Sequence, residues 1–144
     1  MTTTQRIIDN LGGPRALRGK VATLNDLRTK LREGLPYAAF ETLSARYDIG
    51  TKEMTAILAV PPRTLARRKK ERRFRADESD RLFRLSRVVA MAEETLGSRE
   101  KATRWLHAPN RALGNEAPLA QVDTDLGARQ VEDLLLRIAH GVHS

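Results

Sequence analysis

Cysteine is absent from the 144-residue chain, aromatic residues make up 4% of it, and no apolar run approaches the length of a membrane span. The first absence removes disulfides, thiolate zinc sites and cysteine nucleophiles together. The second leaves Leu, Ala, Val and Ile to build the core that a 40% hydrophobic content allows, and such cores are usually helical. The third, with an N-terminus "MTTTQRIIDNLGG" that lacks the apolar stretch of a secretory signal, sets the expectation at a cytoplasmic protein with no membrane partner. Nucleophile elbows, phosphate loops and paired histidines on a helix are also missing. Catalysis is therefore not expected, nor a cofactor, and His140 with His143 is too small a set for a metal site.

Positive charge is plentiful and unevenly placed. The chain carries +8 overall. Residues 63 to 75 hold eight basic side chains and one acidic, whereas residues 76 to 144 are slightly acidic, with nine against eleven. A field concentrated in this way attracts a polyanion. Only Leu65, Ala66 and Phe74 are apolar between Arg63 and Arg75, so the apolar face that a membrane-surface helix needs is missing and nucleic acid is favoured.

Residues 1 to 22, with "LGGPRALRG" and no sustained period, read as a loose arm with one short helical turn near Gln5 to Leu11. Thr23 precedes a helix with Leu24, Leu27 and Leu31 inward and Gly34 as its stop. Pro36 opens the next, with Phe40, Leu43 and Tyr47 on one face. Thr51 is the expected cap of "KEMTAILAV", and Pro61 with Pro62 ends that helix and begins "PRTLARRKKE". Asp77 or Ser79 is expected to cap a long helix through Leu96, with Leu82, Leu85, Val89 and Ala92 inward. Ser98 caps another helix, in which Trp105 is expected to face the core. After a connection with one helical turn at Pro118, Thr124 opens a last helix with Val131, Leu134, Leu135 and Ile138 inward and Gly141 as terminator. The class is all-α. The organisation expected is an arm (1–22), a DNA-binding domain (23–76) and a C-terminal helical domain (77–144).

Residues 51 to 70 match helix-turn-helix spacing, with Met54 and Leu58 inward, Ala59 before the turn, Val60 in it and Leu65 anchoring the second helix. Ala59 stands where glycine is most common. Arg63, Arg67 and Lys70 recur at i, i+4 and i+7, on one face away from Leu65, and the first two suit bidentate contact with guanine. Thr64 joins them at the N-terminal end of the second helix. Arg68, Lys69, Arg72, Arg73 and Arg75 read as phosphate neutralisers.

The string "ESDRLFRLSRVVAMAEETLGSREKATRWLHAPNRALGNEAPLAQVDTDLGARQVEDLLLRIAHG" carries an ESxRL opening, AxxWL, PNxALG and a closing TxxGxxxVxxLLxRIxHG. In that order these motifs resemble the Xre/MbcA/ParS-type antitoxins. The resemblance implies a type II toxin–antitoxin pair: a C-terminal domain that covers the active site of a RES-domain, NAD-degrading toxin, and a helix-turn-helix that represses the operon. It implies Arg137, His140, Gly141, Val142, His143 and Ser144 as toxin contacts. Separately from the resemblance, the terminal carboxylate of Ser144 adds an anion, and the hypothesis it suggests is mimicry of an anionic part of the toxin's substrate. The resemblance also fits a homodimer on operator DNA, since helix-turn-helix proteins generally read two-fold sites. A stand-alone regulator whose C-terminal domain dimerises or senses a ligand remains the alternative, and so does a module whose basic run meets an acidic protein. If the basic run is a DNA handle, replacing Lys69 or Arg72 lowers affinity for every duplex alike. Replacing Arg63 or Arg67 costs roughly 1 to 3 kcal/mol and relaxes sequence preference, as titrations with matched and scrambled duplexes will read.

Overall fold

The computed structural model describes residues 1–141, and Val142, His143 and Ser144 lie outside the described residues. Ten α-helices and one 3-10 turn follow one another there. They are α1 (Thr3–Asn10), α2 (Gly13–Leu17), α3 (Leu24–Glu33), α4 (Tyr37–Arg46), α5 (Thr51–Leu58), α6 (Pro62–Glu71), α7 (Ala76–Leu96), α8 (Arg99–His107), the 3-10 turn Arg111–Leu113, α9 (Pro118–Gln121) and α10 (Asp125–Ala139). Among the described residues there is no β-strand, only two isolated bridges, so the fold is all-α. No helix among them is long and apolar enough to cross a membrane.

The 21-residue α7 is the spine. Its Leu82, Leu85, Val88, Val89 and Ala92 are fully buried, and α1, α3 and α5 pack on it from the N-terminal side of the chain, α8 and α10 from the C-terminal side. One apolar cluster runs through both halves. Residues at i, i+3, i+4 and i+7 bring this about, because that spacing keeps an apolar stripe on one side of a 3.6-residue helix.

The N-terminal segment is not an arm. Ile7, Ile8 and Leu11 of α1 are buried in the same cluster. Arg6 pairs with Glu93 of α7, and the Thr3 hydroxyl donates to Glu94 at 2.7 Å. The buried Asn10 accepts from the Tyr47 hydroxyl and from Arg46 Nε, both at 3.1 Å. Burial, with Glu93 nearby, pushes the Tyr47 phenol up to about 12, so it remains a neutral donor. Two isoleucines and a leucine at helical spacing had signalled this packing, but the glycines that follow concealed it.

Several expected caps moved by a residue or more. Gly50, not Thr51, precedes α5, its N–H bonded by Glu53 at 3.2 Å. Arg75, not Asp77 or Ser79, precedes α7, because Glu78 three residues on accepts from its N–H at 2.9 Å. Leu24 is 57% exposed rather than inward. Ile138, at 37%, lies on the buried side of α10, but in a last turn where every residue is exposed. Trp105 is half-buried and packs on the core. Thr23, Ser98 and Thr124 cap their helices as the sequence implies.

The turn between α6 and α7 is stitched to the one between α3 and α4. Tyr37 N–H donates to Arg72 O at 3.0 Å and Phe74 N–H to Leu35 O at 2.8 Å. The Ser79 hydroxyl accepts from Leu35 N–H and donates to Arg75 O, each at 2.7 Å. Tyr37, Phe40 and Phe74 cluster over the seam, ring centres 5.1 to 5.8 Å apart. Gly34 permits the approach: its φ is +94°, and a Cβ there would lie 2.1 Å from Phe74 O. In α10, a Cβ on Gly127 would lie 1.9 Å from Gln121 O, so this glycine is required for the close return of α9. Gly97 has a similar φ, +92°, but open space around it. Gly34→Ala is therefore expected to destabilise by more than about 2 kcal/mol and Gly97→Ala by only about 1 kcal/mol, read from urea unfolding midpoints.

Candidate nucleic-acid face and partner-binding groove

Helices α5 and α6 form the two-helix unit. Ala59 ends α5 in the left-handed region at φ 55°, a conformation that costs a non-glycine residue roughly 1 to 2 kcal/mol. Val60, buried, and Pro61 carry the chain round, and Pro62 starts α6, where a missing N–H is harmless. Arg81 of α7 donates to the freed Leu58 carbonyl at 3.1 Å, which satisfies the end of α5. Met54, Ile57, Leu58 and Leu65 are buried between the two helices and the core.

The anchoring of Leu65 turns the rest of α6 outward. Arg63, Arg67 and Lys70 are exposed on one face, and Thr64 is half-buried beside it. Lys69, Arg72 and Arg73 are also exposed, Arg72 as a left-handed cap at φ 65°. Seven of the eight basic residues thus stand in solvent with Arg75 included.

Arg68 is the correction. Expected to neutralise a phosphate, it is 4% exposed and points inward. Its Nε donates to Glu78 Oε1 at 2.7 Å, its Nη2 to Glu78 Oε2 at 3.0 Å, and its Nη1 to Glu71 at 3.0 Å. It sits three residues beyond Leu65, so the same helical geometry that buries the leucine buries the arginine. Only an acidic partner ten residues on makes that tolerable. The hydrogen bonds that Arg68 donates to Glu78 raise its pKa further. Burial by itself would raise the Glu78 carboxyl. The Arg68 fork and the Arg75 N–H outweigh burial and hold it below the usual carboxylate range.

The second candidate surface lies on α10. At about 100° per residue, Leu126, Gln130, Asp133, Arg137 and His140 fall on one stripe, and all five are exposed. Leu126 is 69% exposed and Leu136, at the edge of the stripe, 47%. Leu136 and Arg137 line an open groove of about 690 Å³, closed on its other side by Ala112, Leu113 and Gly114 of the "PNRALG" connection. Asn110 shapes that connection by accepting from Ala112 N–H at 3.0 Å. Of the six residues expected to meet a toxin, Arg137 and His140 share the stripe, Gly141 follows as a turn at φ 69°, and Val142, His143 and Ser144 lie outside the described residues. Leu126, Leu136 and the groove went unread in the sequence. Leu126 and Leu136 do stand off the buried stripe of Val131, Leu134 and Leu135, which was the available signal. Among the described residues no group of three or more His, Asp or Glu is placed to hold a metal.

Residues 26–87 match the Antitoxin Xre-like helix-turn-helix domain, and residues 91–141 match the Antitoxin Xre/MbcA/ParS C-terminal toxin-binding domain. The two matches adjoin inside α7, whereas the division expected from the sequence falls at its start. The chain is 35% identical over 117 residues to an Antitoxin Xre of Pseudomonas putida, covering 81% of this chain and 72% of that one. It is 34% identical over 120 residues to one of Photorhabdus laumondii, covering 82% and 81%. Against one of Yersinia enterocolitica it is 31% identical over 145 residues, covering 99% and 94%.

The buried fork generates a pH prediction. Because the folded Glu78 pKa is depressed, its contribution is present above the unfolded-chain value and is lost as pH falls through the folded one. Glu78→Gln, which leaves the buried guanidinium with Glu71 as its one remaining carboxylate partner, is expected to cost about 3 kcal/mol at neutral pH. The gap between wild type and variant narrows below the ordinary glutamate pKa of about 4.3, measurable as urea midpoints at successive pH values. A gap that stays constant into acid contradicts the assignment.

Proposed function

The chain belongs to the Xre/MbcA/ParS antitoxin family, with a helix-turn-helix domain followed by a C-terminal toxin-binding domain, and from that premise we propose that it neutralises a RES-domain toxin that degrades NAD. In this reading the α10 stripe and its groove dock on the toxin. Arg137, His140 and Gly141 then lead Val142, His143 and Ser144 into the active-site cleft. The same chain represses its own operon through α6, as a homodimer whose two copies read half-sites about one helical turn apart in the cytoplasm.

The observation that carries the reading is the separation of two unlike surfaces on one rigid frame. One is cationic and built on α6; the other is mixed, apolar-edged and built on α10. Duplex DNA wants the first, since phosphate neutralisation supplies sequence-independent affinity. A protein wants the second, because exposed leucines rimmed by charged side chains are typical of binding patches.

Co-expression with the product of the neighbouring gene tests this, with cellular NAD as the readout. The wild-type chain is expected to preserve NAD. Removal of Val142 to Ser144, or Leu136→Asp on the groove wall, is expected to weaken protection while leaving DNA binding intact. Depletion of NAD despite wild-type chain, or full protection by both variants, overturns the proposal.

A further inference from the structure

Between α2 and the end of α6 runs a second open groove, of about 790 Å³. Arg15 and Arg18, the latter at the C-cap of α2, line one wall; Lys69, Arg72 and Arg73 line the other. All five are exposed. The acidic side chains on the lining are Glu41 and Glu71, and the Glu71 carboxylate is already engaged by Arg68 Nη1 at 3.0 Å. The groove therefore presents a surplus of positive charge.

Arg15 and Arg18 lie outside the matched helix-turn-helix region, which begins at residue 26. Folding brings them to α6: Leu17 is buried, α2 packs on α4, and Asn10 just before it is fixed by Tyr47 and Arg46. The Arg18 carbonyl accepts from Lys30 Nζ at 3.1 Å, which steadies the base from which its side chain leaves. Both arginines thus sit on anchored backbone rather than on a loose tail, so little ordering is needed when they engage.

We propose that this groove seats the sugar-phosphate backbone of duplex DNA beside the bases that α6 reads, making α2 a second clamp of the DNA interface. The inference rests on the reading of α6 as the DNA-contacting helix. Arginine forks match phosphate oxygens two at a time, and Lys69, Arg72 and Arg73 place the groove at the C-terminal end of α6, in the same basic run as the residues of its exposed face. Such contacts fix position and carry no sequence information.

The test is a double variant, Arg15→Gln with Arg18→Asn, the second chosen because Asn tolerates the left-handed φ of 54° at that cap. Thermal melting checks that the fold persists. Binding to a labelled duplex from the upstream region of the gene, and to a scrambled one, is followed across salt concentrations. The slope of log affinity against log salt is expected to fall in magnitude by about 2, with affinity down about tenfold or more at low salt and by the same factor for both duplexes. An unchanged slope, in a background where Arg67→Ala still loses sequence preference, leaves the α6 reading standing and overturns the clamp. A wild-type chain that shows no salt-dependent duplex binding removes both. Loss of binding to polyglutamate with duplex binding retained assigns the groove to an acidic protein and likewise overturns the proposal.

Discussion

A guanidinium on the sixth helix reaches over the turn that follows and closes a two-pronged contact with the carboxylate of Glu78, out of reach of water. The desolvation of two charges can exceed their attraction, so such a pair gives net stability only when every lone pair and proton is used. Here most are: Glu78 also takes the Arg75 N–H, and Arg68 also holds Glu71. What the pair supplies beyond energy is direction. A carboxylate fork accepts a guanidinium in one plane, and that plane sets how α6 leaves α7.

Orientation passes on from there. The fork and the Leu35, Arg72, Phe74 and Ser79 bonds all meet at one seam, so α3, α4, α6 and α7 are fixed to each other within a few residues. Because α7 continues unbroken from that seam to Leu96, and α10 packs along it with Arg87 bound to Glu132 at 2.5 Å, the C-terminal surface inherits the same frame. The two matched family domains adjoin inside this helix, so they form two functional regions on one structural body rather than two bodies on a linker.

Much of the frame was legible in the sequence, because the core of α3 to α10 rests on apolar periodicity and on helix stops, both local signals. The helix-turn-helix registered for the same reason, as did the caps at Thr23, Ser98 and Thr124. The caps of α5 and α7 were misplaced by local i, i+3 contacts to Glu53 and Glu78, and the larger failures were non-local. Arg68 looked like any other cation of its run, since only the arrival of Glu78 in three dimensions gives it a buried partner. The segment before residue 22 looked loose because "LGGPRALRG" breaks its period, yet Ile7, Ile8 and Leu11 had a hydrophobic groove on α7 and α4 waiting for them. Ile138 kept the stripe but not the burial, since a pattern cannot report where its packing partner ends. Leu126 and Leu136 were passed over for the opposite reason: exposed apolar positions break a pattern instead of making one.

Removing Arg68 from the cationic face clarifies how that face works. Long-range attraction needs only the count of exposed charges, which seven residues still supply, and salt screens it. Discrimination between sequences, in the proposed reading, needs Arg63 and Arg67 held at fixed positions, and α6 is held from behind at Leu65, Arg68 and the backbone of Arg72. In the proposed reading the buried arginine therefore serves DNA binding only through the others: it makes no phosphate contact of its own and instead fixes the helix from which its exposed neighbours would reach the base edges. The proposed reading thereby divides affinity and selectivity between different residues of α6 and the turn that follows it, one set working through field and the other through geometry.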